Sequence, residues 1–553
     1  MSEDTFRKYF LDGRRPYIWI SAAVFVLYAK AVWFGYTYLD DNALILGNYD
    51  FIKDISNVAA AFSRKVFASS HLPYYRPVLI ISFMLDAQMA QLGAAVYHLT
   101  NIIYHAAASC LVFAFLGRMG YGRRISFLFG AIFAVHPVLS QGVAWIPGRN
   151  DTMLAVFALG SLISLTKLAE TGRWRFYILH TALLVLALFT KETAVVIVPV
   201  AFLYLCLIRR MPPSSAPLQV LAAGWAASIG LWYLLRQAAV RGSTEITIVD
   251  AVSIIGMYLP AAVQFTGKIF FPFNLSVFPT IPDTAYAYGI AAAALCVTAL
   301  ITTKKRRYNF IFFGLCWIVL FMAPSLLRAN YAISADFIEH RVYVPMVGFF
   351  ILLLETDLLR RPGWKAVTIT AAAVTALFAA VTFRHIDNFA DRSSFWSNAV
   401  KTSPHSPFAH LAMGQAYFES GRIGEAEAEF KRCLELDPLE PVSIFGLGEI
   451  YMKRARLDAA AAQFRKTIAV YPAYDNAYLE LGVVYYKQGK SGEAESAWKT
   501  AVALNPKNVA ANKFLAIFYN ERGDFDNARF FAGRLKALGV RPPAEFMKSL
   551  GME

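Results

Sequence analysis

Two adjacent aspartates, Asp40 and Asp41, follow the first strongly hydrophobic segment of the chain, in the sequence YLDDNALILGNYDF. Neighbouring carboxylates at a membrane surface repel each other, so we expect a raised pKa for at least one of them unless a cation or a substrate donor lies close. Such a carboxylate can accept the proton of an attacking hydroxyl group. An acidic pair can also bind a metal or simply begin a solvated loop, so the sequence leaves a divalent cation open.

Further polar residues stand close to other hydrophobic segments. They fall in four clusters: HLPYYRPV with His71, Tyr74, Tyr75 and Arg76; HPVLSQGVAWIPGRND with His136, Gln141, Trp145, Arg149 and Asp151; FTKETAVV with Lys191 and Glu192; and ADFIEHRVYVP with Asp336, Glu339, His340 and Arg341. Charges so close to membrane spans are costly and tend to mark substrate pathways. One active site explains all the clusters together, with acids to activate a hydroxyl and Arg341 or Arg76 to hold an anionic leaving group.

Some of these residues also have a structural explanation. Lys191 and Glu192 could form an ion pair between helices, and His136 with the following proline could end a helix. His98 and His105 lie on one face of the second hydrophobic segment, where a histidine is more often structural than catalytic.

The elements that must position these residues are membrane-spanning helices. Hydrophobic residues make up 57% of the 553-residue chain and charged residues only 16%, against about 25% charged in an ordinary soluble domain. A span needs roughly 20 apolar residues. The sequence predicts eleven spans, near residues 16–36, 97–117, 125–141, 150–167, 176–190, 194–208, 217–236, 286–303, 309–327, 342–360 and 364–383.

Basic residues orient these spans, because positively charged loops favour the cytoplasmic side. There are six basic clusters: Arg7/Lys8/Arg14/Arg15, Arg118/Arg123/Arg124, Lys167/Arg173/Arg175, Arg209/Arg210, Lys304/Lys305/Arg306/Arg307 and Arg360/Arg361/Lys365. All six reach the cytoplasm only if the apolar stretches 78–92 and 250–271 lie on or dip into the outer face without crossing. The polar clusters then face a periplasm or an organelle lumen, and the compact loops favour a bacterial inner membrane. The polar segment 1–15 is expected in the cytoplasm, with the first span as an uncleaved anchor.

The net charge of +15 predicts no nucleic-acid partner, because the basic residues sit mainly in these short loops. The cysteines predict neither a disulfide framework nor a metal cluster. Four of them lie in predicted spans, and Cys433 stands alone further along the chain.

The last quarter of the chain has a period of 34 residues, marked by Pro438, Pro472 and Pro506. The residues between these prolines follow the tetratricopeptide pattern of paired helices. We expect four repeats over 406–540, the fourth altered as a cap, then a tail over 541–553. A linker with half a repeat is expected over 384–405. Concave arrays of this kind usually bind polypeptide; the alternative is an array that only stabilises itself.

The order of the motifs resembles one known family. An Asp-Asp pair after the first span, then YRPV, HPV with GRND, KET and EHRVYVP, followed by repeats, is similar to the protein O-mannosyltransferases that carry tetratricopeptide repeats. These belong to the GT-C superfamily of glycosyltransferases. The resemblance covers nearly the whole chain. Gln141 departs from it, because eukaryotic members have an acidic residue after HPV, whereas Asp151 keeps the acid of GRND.

The resemblance implies an all-α fold. It consists of a polytopic GT-C membrane domain over 16–383, with interfacial helices on the outer face, followed by a tetratricopeptide α-solenoid. It also implies inverting transfer from a polyprenyl-phosphate-linked sugar, with Asp40 and Asp41 as the catalytic pair in an outer loop over 37–96. Surface helices are expected within 51–96, beside the site.

Transfer from such a donor builds positive charge on the anomeric carbon and negative charge on the departing phosphate. We expect Arg341, Arg76 and His340 to bind that phosphate, since the planar fork of arginine binds two oxygens. The further substrate-site candidates are Tyr74, Tyr75, His136, Arg149, Asp151, Lys191, Glu192 and Glu339. The repeats would bind a polypeptide acceptor and raise its local concentration.

Two other functions stay open from the sequence. The same transfer could act on a lipid or a glycan, with the repeats docking a partner protein. The chain could also be a non-catalytic membrane scaffold, which predicts no loss of function when Asp40 or Asp41 is replaced.

Overall fold

The computed structural model describes residues 3–67, 73–241, 248–326, 337–360 and 363–552. Helices dominate these residues, which form two compact units, Met1–Ser403 and Pro404–Glu553. The long apolar helices lie in the first unit, called the membrane unit below, and the repeats lie in the second. His71 and Asp336, which the sequence singled out, lie outside the described residues.

The α-helices of the membrane unit are Glu3–Phe6, Arg15–Tyr28, Tyr49–Ile52, Val58–Ala61, Pro77–Ala90, Ala94–Arg118, Arg123–Val135, Gln141–Ala144, Arg149–Thr171, Trp174–Leu188, Ile197–Leu203, Ala216–Ala239, Ile248–Phe270, Ala287–Thr302, Tyr308–Leu326, Pro345–Leu354, Asp357–Arg360, Trp364–His385 and Arg392–Thr402. Short 3-10 helices connect several of them, including Pro137–Leu139, Ile146–Gly148, Glu192–Val196 and Glu339–Val342.

Each of the eleven segments predicted as spans contains helix. In the described part of the chain, six helices are long and apolar enough to cross a membrane: Arg15–Trp33, Ala94–Arg118, Ile146–Thr171, Ala216–Ala239, Tyr308–Leu326 and Trp364–Phe389. Arg123–Val135 and Pro137–Ala144 form a seventh candidate, bent by 52°. The remaining four segments are shorter apolar helices. The chain is therefore an all-α, multi-pass membrane protein, and the count of eleven crossings stays a prediction.

The bend lies at His136, where a proline follows. Proline disfavours helical backbone in the residue before it, and His136 is extended, with ψ at 123°. Its Nδ1 accepts a hydrogen bond from the N–H of Val138 at 3.3 Å and so caps the next short helix. Its Nε2 lies 2.9 Å from the carbonyl oxygen of Ile269.

Small residues allow neighbouring helices of the membrane unit to pack closely. A Cβ placed on Gly348 would come within 2.8 Å of the carbonyl oxygen of Gly314 on the facing helix. A Cβ on Gly267 would come within 2.7 Å of the backbone nitrogen of Gly289. Close approach through glycine is the usual packing mode of helices in lipid, where van der Waals contact drives association.

The basic clusters gather at one end of these helices. Arg118 and Arg209 both contact Glu170, at 2.7 and 3.6 Å. The guanidinium of Arg124 lies 5.3 Å from the ring centre of Trp364. In the helices that carry Glu170 and Arg124, the motif residues GRND and HPV stand at the opposite end.

Helix Arg392–Thr402, in the stretch expected to link the repeats, packs within the membrane unit. The buried ring of Trp396 lies 6.0 Å from that of Phe278. The N–H of Val277 donates to Asn398 at 3.1 Å, and the hydroxyls of Ser276 and Thr402 are 2.6 Å apart. The boundary between the two units falls after Ser403.

The second unit consists of the helix pairs Pro407–Glu419 and Ile423–Leu436, Pro441–Lys453 and Leu457–Val470, Asp475–Lys487 and Ser491–Leu504, and Val509–Glu521 and Phe525–Ala537, with a last short helix Ala544–Ser549. A glycine of the first helix faces the aromatic ring of the second. A Cβ on Gly448 would come within 2.6 Å of the ring of Phe464, and one on Gly482 within 2.4 Å of Trp498. The spacing of small and aromatic residues thus sets the packing of each repeat.

Candidate active site

Asp41 is almost fully buried at the end of the loop that follows the first span, and Asp40 beside it is half-buried. The Oδ2 of Asp41 accepts hydrogen bonds from the backbone N–H and the hydroxyl of Thr37, at 2.9 and 2.5 Å. Its Oδ1 has no hydrogen-bond partner among the described residues. Burial raises the pKa of Asp41 to about 6, against the opposing effect of the Thr37 hydrogen bonds. One oxygen is held in place, and the other can accept a proton.

The loop before Asp41 has an unusual backbone. Tyr38 has a φ of +60°, a conformation that bulky residues rarely adopt. Its exposed ring lies 5.3 Å from the guanidinium of Arg392, and Gly35 donates its N–H to the carbonyl of Ala390 at 2.7 Å. Strained backbone persists only where the surrounding structure fixes it, and it is frequent at functional sites.

Trp145 connects this loop to the other polar clusters. Its indole N–H donates to the hydroxyl of Thr37 at 3.0 Å, so the residue that holds Asp41 is itself held. The ring of Trp145 lies 5.5 Å from the ring of His340. Residues far apart in sequence therefore meet beside Asp41.

Asp151 occupies the centre of the next group. Both of its carboxylate oxygens lie 2.7 Å from the ammonium of Lys191, and Oδ2 lies 3.3 Å from Nε2 of His340. The side-chain oxygen of Gln141 accepts the backbone N–H of His340 at 3.1 Å. Gln141 stands where the resemblance would place an acid, and here its amide positions His340.

Arg76 and Glu192 form a neighbouring pair. The Nε of Arg76 donates to Glu192 at 2.9 Å, and the other oxygen of Glu192 accepts the N–H of Tyr75 at 2.8 Å. The ring of Tyr74 lies 4.7 Å from the guanidinium of Arg76. The hydroxyl of Tyr75 donates to the carbonyl of Phe62, so its fully buried ring supports the fold.

Arg341 adds a third cation, half-buried, which donates to the carbonyl of Ser325 at 2.9 Å. Burial lowers the pKa of Arg341, and the charge of Arg76 lowers it further, while Asp151 opposes the shift. Burial also lowers the pKa of Lys191, and repulsion from Arg76 and Arg341 adds to that effect. The three cations are therefore close enough to repel one another.

This group carries an excess of positive charge. Among the described residues, the ion pairs of Arg76, Lys191 and Arg341 involve two carboxylates, those of Asp151 and Glu192. An anion bound here would neutralise the excess, and a phosphate would offer arginine the paired oxygens that suit its fork.

Arg149 is placed away from this group. It is fully buried and forms an ion pair with Asp86 at 2.6 Å. It also donates to Asn101 at 2.7 Å, to the carbonyl of Tyr97 at 2.8 Å and to Ser82 at 3.2 Å. Protein groups thus occupy its donors, and we interpret its role as structural.

Glu339 and His136 also face protein partners. Glu339 is completely buried, lies 2.6 Å from the ammonium of Lys268 and accepts the N–H of Ser276 at 2.8 Å. Burial raises the pKa of Glu339, against the opposing charge of Lys268. The contacts of His136 at the helix bend leave both its ring nitrogens engaged. These two candidates support the fold around the site.

Three residues of this region were missed by the sequence reasoning. Thr37 carries no motif of its own, although a threonine four residues before a paired aspartate can hydrogen-bond it. Asp86 and Lys268 each stand in an apolar helix, and a charge in such a place signals a buried partner. Their partners are distant in sequence and could not be named from it.

The described residues contain no group of three or more His, Cys, Asp or Glu side chains placed to hold a metal ion. The divalent cation at Asp40 and Asp41 stays the open alternative that the sequence left.

Comparison with known proteins bears directly on this arrangement. Residues 79–233 match the family described as dolichyl-phosphate-mannose-protein mannosyltransferase. Residues 407–439, 448–489 and 479–535 match tetratricopeptide repeats. The chain is thus similar to this transferase family over residues 79–233 and to tetratricopeptide repeats over its last quarter. The resemblance that the motifs predicted is confirmed.

The similar proteins include three protein O-mannosyl-transferases. The chain is 23% identical to F38B6.6 of Caenorhabditis elegans, over 68% of this chain and 56% of that protein. It is 23% identical to TMTC3 of Mus musculus, over 64% of this chain and 47% of that protein. It is 31% identical to Tmtc1 of Drosophila melanogaster, over 32% of this chain and 21% of that protein.

The chain spans about half the length of the first two of these relatives, 56% and 47%. The matched transferase region contains Asp151, Lys191 and Glu192. Asp40, Asp41 and Arg341 lie outside it, so their roles depend on the geometry of the site.

Proposed function

We propose that the protein transfers a sugar from a polyprenyl-phosphate-linked donor to hydroxyl groups of proteins, as a GT-C glycosyltransferase. The observation that carries this proposal is the state of Asp41. Its carboxylate is buried, one oxygen is held by Thr37, the other has no partner among the described residues, and its pKa is about 6. A general base that works near neutral pH needs a pKa in this range.

Asp41 acts as the base. It takes the proton from the acceptor hydroxyl while the oxygen of that hydroxyl bonds to the anomeric carbon of the sugar. The bond from the anomeric carbon to the phosphate oxygen breaks, and the phosphate leaves with the electron pair. The nearby charge of Asp40 helps to keep the proton affinity of Asp41 high.

The cationic group formed by Arg76, Lys191 and Arg341 holds the donor phosphate. Its excess positive charge is fixed before the donor binds, because Glu192 orients Arg76 and Asp151 orients Lys191. Preorganised charge of this kind stabilises the negative charge that develops on the leaving phosphate. Trp145 connects this group to the base through Thr37.

The reaction takes place on the outer or lumenal face. One observation and one general rule support the outer or lumenal side. The candidate site and the basic loops lie at opposite ends of the same helices, and basic loops favour the cytoplasm. The isoprenoid tail of the donor would then lie among the spans, with its phosphate at the outer interface.

The acceptor is a polypeptide that the repeats bind, and the sugar is mannose. The names of the similar proteins, protein O-mannosyl-transferases, support both choices. The four helix pairs of the second unit form a repeat array of the kind that binds extended chains.

The test is transfer of labelled mannose from polyprenyl-phosphate mannose to protein by the purified full-length enzyme. Asp41→Asn removes the base and should reduce the rate about a hundred-fold or more. Asp50→Asn, at an exposed surface position in the same loop, is the matched control and should keep the wild-type rate. Thermal unfolding of both variants confirms that they fold. Wild-type activity in a folded Asp41→Asn variant would refute the enzymatic proposal and favour the scaffold.

A further inference from the structure

Two adjacent cavities lie along helices Arg123–Val135 and Trp364–His385. The smaller cavity, of about 340 Å³, stands at the end that carries the basic loops and is lined by Tyr121, Arg124 and Trp364. The larger, of about 580 Å³, extends along the helices. Both are lined by Ile125, Leu359 and Val367, so the two cavities adjoin, and together they are called the groove below.

The larger cavity is almost entirely apolar and elongated. Along one helix its wall runs from Ile125 to His136, and along the other from Ala366 to Phe378. At a rise of about 1.5 Å per residue, both walls are roughly 17 Å long. The hydrocarbon core of a bilayer is about 30 Å thick, so the groove matches the acyl chain of one leaflet. This length suits a phospholipid better than a long polyprenol.

The smaller cavity has a polar group that lacks a partner. The Nη1 of Arg124 is buried and makes no hydrogen bond with any described residue. An unsatisfied buried donor is costly, and a charged one especially so. Phosphate oxygens pair well with a guanidinium, and Trp364 and Tyr121 are residue types typical of the headgroup level.

The acidic side chains around Arg124 do not fully neutralise its charge, so an anion can bind there. Its Nη2 lies 2.9 Å from Glu3, but this pair is largely exposed, with 31% and 55% of the two side chains accessible, and exposed pairs contribute little. Glu355, which accepts a hydrogen bond from the hydroxyl of the lining residue Tyr121, is buried and contacts Arg307. Of the described residues that line this cavity, Arg124 is the cation, and its Nη1 has capacity for a further partner.

We infer that this groove binds an anionic phospholipid. The phosphate of the lipid accepts hydrogen bonds from Arg124, and one acyl chain fills the apolar groove towards His136. The phosphate-binding end of the groove, at Arg124, stands at the opposite end of helix Arg123–Val135 from the candidate active site, and the inference does not depend on the proposed transfer reaction.

The experiment measures lipid binding to the purified, delipidated full-length protein in detergent by native mass spectrometry. The probes are phosphatidylglycerol and phosphatidylcholine with identical acyl chains. We expect the wild type to bind phosphatidylglycerol at least tenfold more tightly. Arg124→Gln should abolish this preference, because it weakens phosphatidylglycerol binding more than phosphatidylcholine binding. Ala371→Phe, which fills the groove, should weaken the binding of both lipids at this site.

Two control variants show whether the effect comes from the charge of Arg124 itself. Glu3→Gln removes the same ion pair but keeps the Arg124 charge, so it should retain or strengthen phosphatidylglycerol binding. Arg14→Gln removes a basic charge at an exposed position outside the groove and should bind like the wild type. Equal binding of the two lipids by the wild type would overturn the inference. Loss of phosphatidylglycerol binding in Glu3→Gln would also overturn it. Displacement of phosphatidylglycerol by polyprenyl phosphate would assign the groove to the donor instead.

Discussion

Two groups of charged side chains in the membrane unit both contain residues of the motifs GRND and EHR, but the protein satisfies their charges to different degrees. The interior pairs, Arg149 with Asp86 and Lys268 with Glu339, have side chains that are at most 2% exposed. In the cationic group at the candidate site, Arg76 and Glu192 keep 13% and 24% of their side chains exposed. The first group balances its charges internally, and the second leaves positive charge in excess.

Residues of a single motif belong to different groups. In GRND, Arg149 contacts Asp86, whereas Asp151 contacts Lys191. Residues two apart on a helix point about 200° apart, so neighbours in the motif reach opposite sides. In EHR, Glu339 is buried and its second neighbour Arg341 is half-buried beside the other cations. Position in a motif therefore does not decide which charge is available to a ligand.

The largest effect expected from this comparison concerns the interior pair. Arg149→Gln leaves Asp86 buried without its cation, and breaking such a pair costs about 3–5 kcal/mol. We expect loss of folded protein, measured by detergent-solubilised size-exclusion profiles and by Tm. Arg118→Gln breaks a half-exposed pair with Glu170 and should cost about 1 kcal/mol or less. A folded Arg149→Gln variant that loses only activity would move Arg149 into the site.

Substitutions of Arg341 test the cationic group at the candidate site. Arg341→Gln should raise the apparent KM for the donor about 10–100-fold while Tm changes little, because one strong charge-assisted contact to phosphate is lost. Arg341→Lys should recover only part of the affinity, since lysine lacks the planar fork. Donor titrations at saturating acceptor measure both variants. If both behave like the wild type while Arg76→Gln does not, the main phosphate contact belongs to Arg76.

Most of the fold could be predicted from the hydrophobic patterning and the repeat period. Each segment predicted as a span contains helix, and the glycine and aromatic positions of the repeats meet as their spacing implies. The physical reason is that both signals are local: a span or a repeat helix is specified by the residues inside it.

The partners of the charged residues could not be predicted in this way. Asp86 and Arg149 are 63 residues apart, and Trp145 and Thr37 are 108 apart. Nothing local in the sequence distinguishes Arg149, with its donors satisfied, from Arg341. The basic loops predict that the clusters share one face, and this stays a prediction, whereas the choice between structural and ligand-binding charges required the tertiary contacts.

Truncated chains test the interior pair of Lys268 and Glu339 separately from the repeats. The hydrogen bonds of this pair extend through Ser276 into helix Arg392–Thr402. Ser276 donates to Glu339 through its N–H, and its hydroxyl lies 2.6 Å from Thr402. A chain ending at Ser403 should therefore keep transfer to a small free acceptor, while modification of the protein target falls about tenfold or more, since tethering no longer concentrates the acceptor. A chain ending at Asp391 should lose both activities.

Both truncated chains are assayed against the full-length enzyme with the two acceptors. Loss of both activities in the chain ending at Ser403 would make the repeats a structural part of the transferase. Full retention of both would favour a lipid or glycan acceptor.

The pH profile is the smallest of the expected effects. Asp41 must be ionised to accept a proton, and burial raises its pKa from 3.8 to about 6. The active form is therefore present above pH 6 and is lost as the pH falls through 6. For a single ionisation with pKa about 6, kcat/KM at pH 5 should be about tenfold lower than on the plateau near pH 7.5.

The measurement is kcat/KM for the donor from pH 5 to 8, with Asp50→Asn as the control that should show the same profile. A Thr37→Val variant loses one hydrogen bond that stabilises the ionised carboxylate, so its midpoint should move to higher pH. A profile that stays flat down to pH 5, or a midpoint unmoved in Thr37→Val, would show that Asp41 is not the base.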